Sequence, residues 1–91
     1  MQTPDTRTLK ILYFAWLRER LNRGEEEVSP PPEVATIADL IAWLKQRDPA
    51  ADLAMQKPEI IKAAIDTKIV KHDALIAGAK VVALFPPMTG G

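Results

Sequence analysis

The chain has 91 residues, 12 basic and 12 acidic side chains, one histidine and no cysteine. This length corresponds to one small domain, and the absence of cysteine excludes disulfides and thiolate chemistry. Balanced charge argues against nucleic acid as the main partner. No apolar run approaches the ~20 residues that span a bilayer, and the N-terminus lacks the pattern of a signal peptide. We therefore expect a small cytoplasmic domain with no nucleic acid or membrane partner.

The first third of the chain predicts a strand, a helix and a second, short strand. Residues 1–8 are polar and are expected to form a flexible N-terminal tail. Alternating apolar side chains predict a strand over Leu9–Ala15, and leucines four residues apart predict an amphipathic helix over Ala15–Asn22. An edge strand is expected over Glu26–Ser29, because the prolines of Pro30–Pro32 cannot donate to a sheet.

Capping signals define the middle of the chain. Thr36 and Asp39 fit a capping box, with an aspartate in place of the usual glutamate, at the start of an amphipathic helix. Asp48 and Pro49 end that helix, and the same pair predicts the N-cap and first position of a shorter helix through Gln56.

After Pro58, the apolar residues recur with a period of two, which is typical of strands. Strands are predicted over Ile60–Ile65, Ile69–Lys71 and Lys80–Phe85. The first and last strands carry apolar residues on both faces, which favours parallel neighbours at the centre of the sheet. The sequence therefore predicts an α+β fold over residues 9–85, a roll in which a small mixed sheet wraps one main helix.

Residues of conventional catalysis are scarce. His72 is the only histidine and lies among charged residues, which is typical of a solvated loop, and no base is evident for Ser29, the only serine. Two interpretations of Glu25–Glu27 are open, a metal cluster or a solvated edge that blocks aggregation, and an acidic edge strand favours the second. No metal site is expected.

The C-terminus is the unusual feature. Pro86 and Pro87 forbid continuation of the sheet, while Gly90 and Gly91 leave the terminal carboxylate without neighbouring side chains. An extended tail over residues 86–91, at ~3.3 Å per residue, carries that carboxylate on the order of 20 Å from the domain. Such a tail suits a narrow tunnel in another protein.

Three segments resemble one known family. The ending 85–91, Phe-Pro-Pro-Met-Thr-Gly-Gly, resembles that of the molybdopterin synthase small subunit family, ubiquitin-like sulfur carriers with the β-grasp fold. Residues 12–15, followed by Arg18 and Glu19, are similar to the family's first strand and helix. Residues 64–70 resemble its strand and turn before the last strand, although an asparagine is more usual at the position of Asp66.

The resemblance implies a mechanism centred on Gly91. In this family an ATP-dependent activating enzyme adenylates the terminal carboxylate, and sulfur from a donor protein then displaces AMP to leave a thiocarboxylate. The tail delivers this sulfur to cyclic pyranopterin monophosphate in the large subunit of molybdopterin synthase, within a heterotetramer. No cofactor is expected on this chain, because ATP is used by the activating enzyme.

The resemblance also implies two sets of binding residues. The tail residues expected to enter the partner are Pro86, Pro87, Met88, Thr89 and Gly90. The residues expected at the partner interface are Phe14, Phe85, Ile69 and Arg18. For Phe14 and Phe85, ordinary core packing is an equally open interpretation.

Three other functions are consistent with these features. The chain fits a sulfur carrier of the thiamine pathway, although the Phe-Pro-Pro stretch and its length argue against that role. It also fits a ubiquitin-like protein modifier that forms isopeptide bonds, which a search for lysine conjugates would test. The third is a non-catalytic interaction domain with an inert tail, which would bind its partner unchanged after deletion of Gly90 and Gly91.

Overall fold

The computed structural model describes residues 8–87. The predictions made for the N-terminal tail before residue 8, and those for Met88, Thr89, Gly90 and Gly91, lie outside the described residues. The predicted division into a tail, a domain and a second tail therefore stays a prediction.

The described chain alternates strands and helices around one sheet. In order it forms β1 (Leu9–Tyr13), α1 (Ala15–Leu21), β2 (Glu25–Val28), α2 (Ile37–Arg47), α3 (Pro49–Ala54), a 3₁₀ turn (Pro58–Ile60), β3 (Lys62–Ile65), β4 (Lys68–Val70) and β5 (Val81–Phe85). The strands lie in the order β2-β1-β5-β3-β4. β1 and β5 are parallel at the centre, and the other pairs are antiparallel. The predicted α+β roll with a mixed sheet is confirmed.

α2 begins and ends where the sequence predicts. The Thr36 hydroxyl accepts a hydrogen bond from the Asp39 N–H at 3.1 Å, and the Asp39 carboxylate accepts one from the Thr36 N–H at 3.2 Å. These bonds satisfy two of the amides that a helix N-terminus leaves unpaired. Asp48 ends α2 and caps α3 by accepting from the Ala50 N–H at 3.0 Å.

One face of the sheet packs on α2 and forms the core. Tyr13, Leu84 and Ala63 lie in one row across β1, β5 and β3, and all three are buried. The α2 side chains in this core are Ile37, Leu40, Ile41 and Leu44. Each buried aliphatic side chain of this size contributes about 1.5–3 kcal/mol, so the layer between the sheet and α2 is a major source of stability. Trp16 and Trp43 are partly buried against the same cluster.

Several element boundaries differ from the predictions by one or two residues, as at the ends of α1, α3, β4 and β5, and those of β1, β2 and β3 are described here. β1 ends at Tyr13, since Ala15 has a φ of 55° and starts α1 directly. β3 starts at Lys62 because Pro58, with no N–H to donate, begins a 3₁₀ turn that uses Ile60. β2 covers Glu25–Val28, one residue earlier than predicted.

The length and hydropathy of the helices bear on membrane insertion. Within residues 8–87, no helix is both long enough and apolar enough to cross a bilayer. This agrees with the shortness of the apolar runs in the sequence.

Candidate functional site

The sheet face away from α2 carries a row of apolar side chains. The register places Leu12 opposite Ala83, Ala83 opposite Ala64, and Ala64 opposite Ile69. Ala64 is buried yet lies outside the core cluster, while Ile69 is 76% exposed. We call this side the outer face, formed by Leu12, Phe14, Ala64, Ile69, Val81, Ala83 and Phe85.

Phe14 and Phe85 lie side by side at one end of the outer face. The Phe14 N–H donates to the Leu84 carbonyl at 3.2 Å, which continues the parallel pairing of Tyr13 with Leu84. Phe14 is 46% exposed, Phe85 is half-buried, and neither belongs to the core cluster. Ordinary core packing is therefore the wrong interpretation, and the interface role stays a prediction.

Ile69 and Arg18 flank this aromatic pair at different distances. Ile69 is on β4, three strands from β1, which corresponds to roughly 14 Å at the usual strand spacing. Arg18 is exposed on α1, and its guanidinium lies so close to Gly24 that an added Cβ there would come within 3.3 Å of Nε. Arg18 therefore lies beside the start of β2, while Ile69 lies on the edge strand at the opposite side of the sheet.

The C-terminal segment leaves the sheet beside the two phenylalanines. Phe85 is the last residue of β5 and lies opposite Lys62 of β3. Pro86 is buried and Pro87 is half-buried, so the two residues that follow β5 pack against the domain. Neither proline can donate a hydrogen bond, which ends the pairing here.

The acidic edge strand is paired with cations from its own chain. Glu25 lies 3.8 Å from the Lys10 ammonium, and Glu26 lies 3.3 Å from Arg23 and 3.6 Å from Arg47. No group of three or more metal-ligating side chains forms a site within residues 8–87. The solvated-edge interpretation therefore holds only in part, because Glu26 is half-buried in ion pairs, and the expectation of no metal site stays a prediction.

Most of the chain matches the model of one protein family. The model of the ThiS family matches residues 11–91. The chain belongs to the ThiS family. The molybdopterin synthase sulfur carrier subunit of Escherichia coli (strain K12) is 29% identical over 83 residues, which cover 91% of this chain and 99% of that protein. The resemblance noted in the sequence is confirmed.

Solved structures agree on the fold. A candidate molybdopterin converting factor subunit 1 from Pyrococcus furiosus has a TM-score of 0.66 at 27% identity, covering 89% of this chain and 98% of that one. SAMP1 from Haloferax volcanii has a TM-score of 0.69 at 21% identity, covering 93% and 100%. The ThiS-family chain therefore has the ubiquitin-like β-grasp fold that was expected.

An ionic cluster on the α2 side of the sheet was not evident in the sequence. In this ThiS-family chain, Arg23 forms ion pairs with Asp48 and Glu26, and the Tyr13 hydroxyl donates to Glu26 at 2.5 Å. The Arg23 guanidinium holds the pKa of Asp48 below its ordinary value. Burial, with the Glu26 contact, raises the pKa of Tyr13. Residues 25 positions apart meet here, so no local spacing could have indicated the cluster.

His72 is less exposed to solvent than predicted. Its Nε2 lies 2.6 Å from the Ile61 carbonyl oxygen, and the side chain is half-buried. The histidine therefore joins the loop after β4 to the start of β3, rather than lying free in solvent.

Proposed function

We propose that this protein is a sulfur carrier of molybdenum cofactor biosynthesis. Gly91 is adenylated, converted to a thiocarboxylate, and donates sulfur to cyclic pyranopterin monophosphate in the large subunit of molybdopterin synthase. One observation carries the proposal: the ThiS-family match extends through residue 91, so it includes the bare Gly-Gly end that follows the last strand. A relative named as a sulfur carrier subunit, aligned over 99% of its length, supports the same role.

The chemistry explains why activation comes first. A carboxylate is a poor electrophile at neutral pH, so its oxygen must attack the α-phosphate of ATP, which forms an acyl adenylate and releases pyrophosphate. Sulfur at the sulfide level, supplied by a donor protein, then attacks the acyl carbon. The bond from that carbon to the AMP oxygen breaks, AMP leaves, and the thiocarboxylate remains. Acids, bases and metals for these steps belong to the activating enzyme and the large subunit, while this chain supplies the carboxylate of Gly91.

The tail sequence fits delivery into a tunnel. Pro86 and Pro87 limit the conformations of the free chain, so less entropy is lost when the tail becomes ordered in a partner. Gly90 has no Cβ and can pass a constriction that other residues would block. Met88 and Thr89 supply the side chains that contact the tunnel wall.

The outer face supplies the docking surface. Phe14 and Phe85 are exposed or half-buried beside the root of the tail, and Ile69 continues the apolar surface to β4. Aromatic and aliphatic side chains of this kind are typical anchors of protein interfaces. The large subunit therefore binds the tail and the outer face together, with Arg18 at the rim, in a heterotetramer of two small and two large subunits.

A second candidate is a ubiquitin-like protein modifier. The same activated Gly91 carboxylate can be attacked by a lysine amine of another protein, giving an isopeptide bond and releasing AMP. The Gly-Gly end favours this chemistry equally, so the two candidates differ in the nucleophile that accepts the acyl group. A search for lysine conjugates after activation separates them.

Intact-mass spectrometry tests the proposal directly. After incubation with the cognate activating enzyme, ATP and a sulfur donor, the wild-type chain is expected to gain the mass difference between sulfur and oxygen. Deletion of Gly91 is expected to abolish this gain with an unchanged melting temperature, and deletion of residues 2–4 serves as the control. A competent enzyme that leaves the wild-type mass unchanged would refute the proposal, as would full loading of the Gly91 deletion.

A further inference from the structure

A basin lies between β3 and β4 next to the outer face. It has a volume of about 540 Å³. Its lining residues are Glu59, Ile61, Lys62, Ile69, Val70, Lys71 and His72. Lys62 lies opposite Phe85, so the basin adjoins the point where the C-terminal segment leaves the sheet. Apolar side chains and two lysines therefore line a basin next to the residue at which the C-terminal segment leaves the sheet.

The positive charge of Lys62 and Lys71, on the β3–β4 side of the sheet, is not neutralised by ion pairs within the described residues. On the β2 side, Glu25 and Glu26 are paired with Lys10, Arg23 and Arg47. Among the described residues, Lys62 and Lys71 form no ion pair, and both are exposed. Glu59 is the single carboxylate lining the basin, against two lysines and His72. The acidic β2 strand is therefore paired with cations of its own chain, whereas two lysines, unpaired among the described residues, lie together in the basin at the β3–β4 side.

We propose that the β3–β4 basin receives an acidic segment of the protein that takes up the tail. In this arrangement one or two carboxylates of the partner contact Lys62 and Lys71, and an apolar side chain next to them covers Ile69. This inference rests on the proposed function, because it concerns the same large subunit. It adds a charged contact at the β4 margin to a docking surface that is otherwise apolar.

The contact has a specific physical role. An apolar surface by itself permits several orientations, since burial of apolar area is non-directional. Charge complementarity fixes the register of two surfaces and accelerates their encounter. Anchoring the β4 margin, roughly 14 Å from β1, would fix the direction in which the tail leaves Phe85. Partners with a basic segment at this position would be rejected because they would meet two lysines.

The composition of the basin favours a protein carboxylate over nucleic acid. A polyphosphate backbone needs a row of cations, whereas here Glu59 lines the same basin together with the apolar residues Ile61, Ile69 and Val70. The balanced charge of the whole chain, 12 basic against 12 acidic residues, gives no long-range attraction for a polyanion. An oligonucleotide is therefore included in the test as a competing ligand.

Charge reversal at the two lysines tests the inference. The cognate large subunit is titrated with wild-type chain and with the double variant Lys62→Glu/Lys71→Glu. Binding is expected to weaken by at least about tenfold, mostly through the association rate, and to lose most of its salt dependence. The double variant Lys62→Arg/Lys71→Arg is expected to bind like wild type. Lys80→Glu, an exposed lysine at the opposite end of β5, is the matched control and should change affinity less than about twofold.

Carbodiimide cross-linking provides an independent readout. Peptide mapping is expected to join Lys62 or Lys71 to an aspartate or glutamate of the large subunit. The inference is overturned if the Glu double variant binds like wild type, if cross-links form only at other lysines, or if the lysines bind a single-stranded oligonucleotide but not the subunit. Thermal melting shows that the exposed substitutions leave the fold intact.

Failure of this inference is distinguishable from failure of the proposed function. If the wild-type chain accepts sulfur and binds the large subunit while charge reversal has no effect, only the basin contact is wrong. If the wild-type chain neither accepts sulfur nor binds that subunit, the proposed function itself fails, and this inference fails with it.

Discussion

Lys62 lies directly opposite Phe85 in the antiparallel pairing of β3 with β5. An exposed cation and a half-buried aromatic side chain thus share the row at which the chain leaves the sheet. On the other side of β5, Phe14 is 46% exposed. Because these side chains lie outside the core cluster, mutations here should separate partner binding from folding.

Ile69 provides the clearest test of that separation. Ile69→Asp is expected to weaken binding to the large subunit by at least about tenfold, since a charge would replace an apolar anchor of the interface. The melting temperature should change little because the side chain is 76% exposed. Leu75→Asp is the matched control, as Leu75 is 67% exposed on a loop outside the outer face. Equal loss of binding in both variants would contradict a specific role for Ile69.

The turn between β3 and β4 carries removable strain. Thr67 has a φ of 77°, in the left-handed region that disfavours β-branched residues. Thr67→Gly is expected to stabilise the fold by about 1 kcal/mol, measured by urea denaturation. The converse control is Gly78→Ala, because Gly78 has a φ of 80° with no atom within 4 Å of a new Cβ. That variant should lose a similar amount, and a destabilised Thr67→Gly would show that the hydroxyl matters more than the strain.

The Arg23–Asp48 ion pair predicts a loss of stability in acid. The folded-state pKa of Asp48 is lowered, first by the Arg23 hydrogen bond and then by the Ala50 N–H. Its contribution is therefore complete above the ordinary value of 3.8 and decreases as the pH falls from there through the lower folded pKa. Asp48→Asn keeps a good N-cap but loses the ion pair, and should cost about 1 kcal/mol at neutral pH.

Denaturation of wild type and Asp48→Asn as a function of pH measures this effect. The difference between the two proteins should shrink in acid. Asp73→Asn, at an exposed position, is the control and should follow wild type throughout. A difference that stays constant down to the lowest pH would show that Asp48 acts only as a cap.

Ionisation of Tyr13 is expected to lower the stability of the fold in base. Burial and the Glu26 hydrogen bond raise its pKa above the ordinary value of 10.0. A raised folded pKa gives a contribution that is complete below the unfolded pKa and is lost as the pH rises through the folded one. Since Tyr13 is the only tyrosine, its ultraviolet absorbance reports this ionisation alone. We expect the Tyr13 hydroxyl to ionise only above pH 10 and together with unfolding. Ionisation of Tyr13 near pH 10 in the folded protein would contradict this prediction.

Local signals account for the elements that were predicted correctly. The Thr36–Asp39 capping box and the Asp48–Pro49 pair involve residues within three positions of each other, so their hydrogen bonds are encoded by spacing alone. The parallel pairing of the first and last strands was predicted because both have two apolar faces. The ending at residues 85–91 was likewise visible as sequence and led to the family.

Tertiary structure decided where those apolar faces lie and which charges are free. The alternation of β5 separates Leu84 from Phe85, but only the position of α2 makes one face the core and the other the outer face. Likewise Glu26 and Lys62 are both charged strand residues, yet Glu26 is neutralised by Arg23 and Arg47 while Lys62 has no ion-pair partner among the described residues. Spacing along the chain fixes contacts within a helix or turn, whereas contacts between distant strands depend on how the whole sheet closes around its helix.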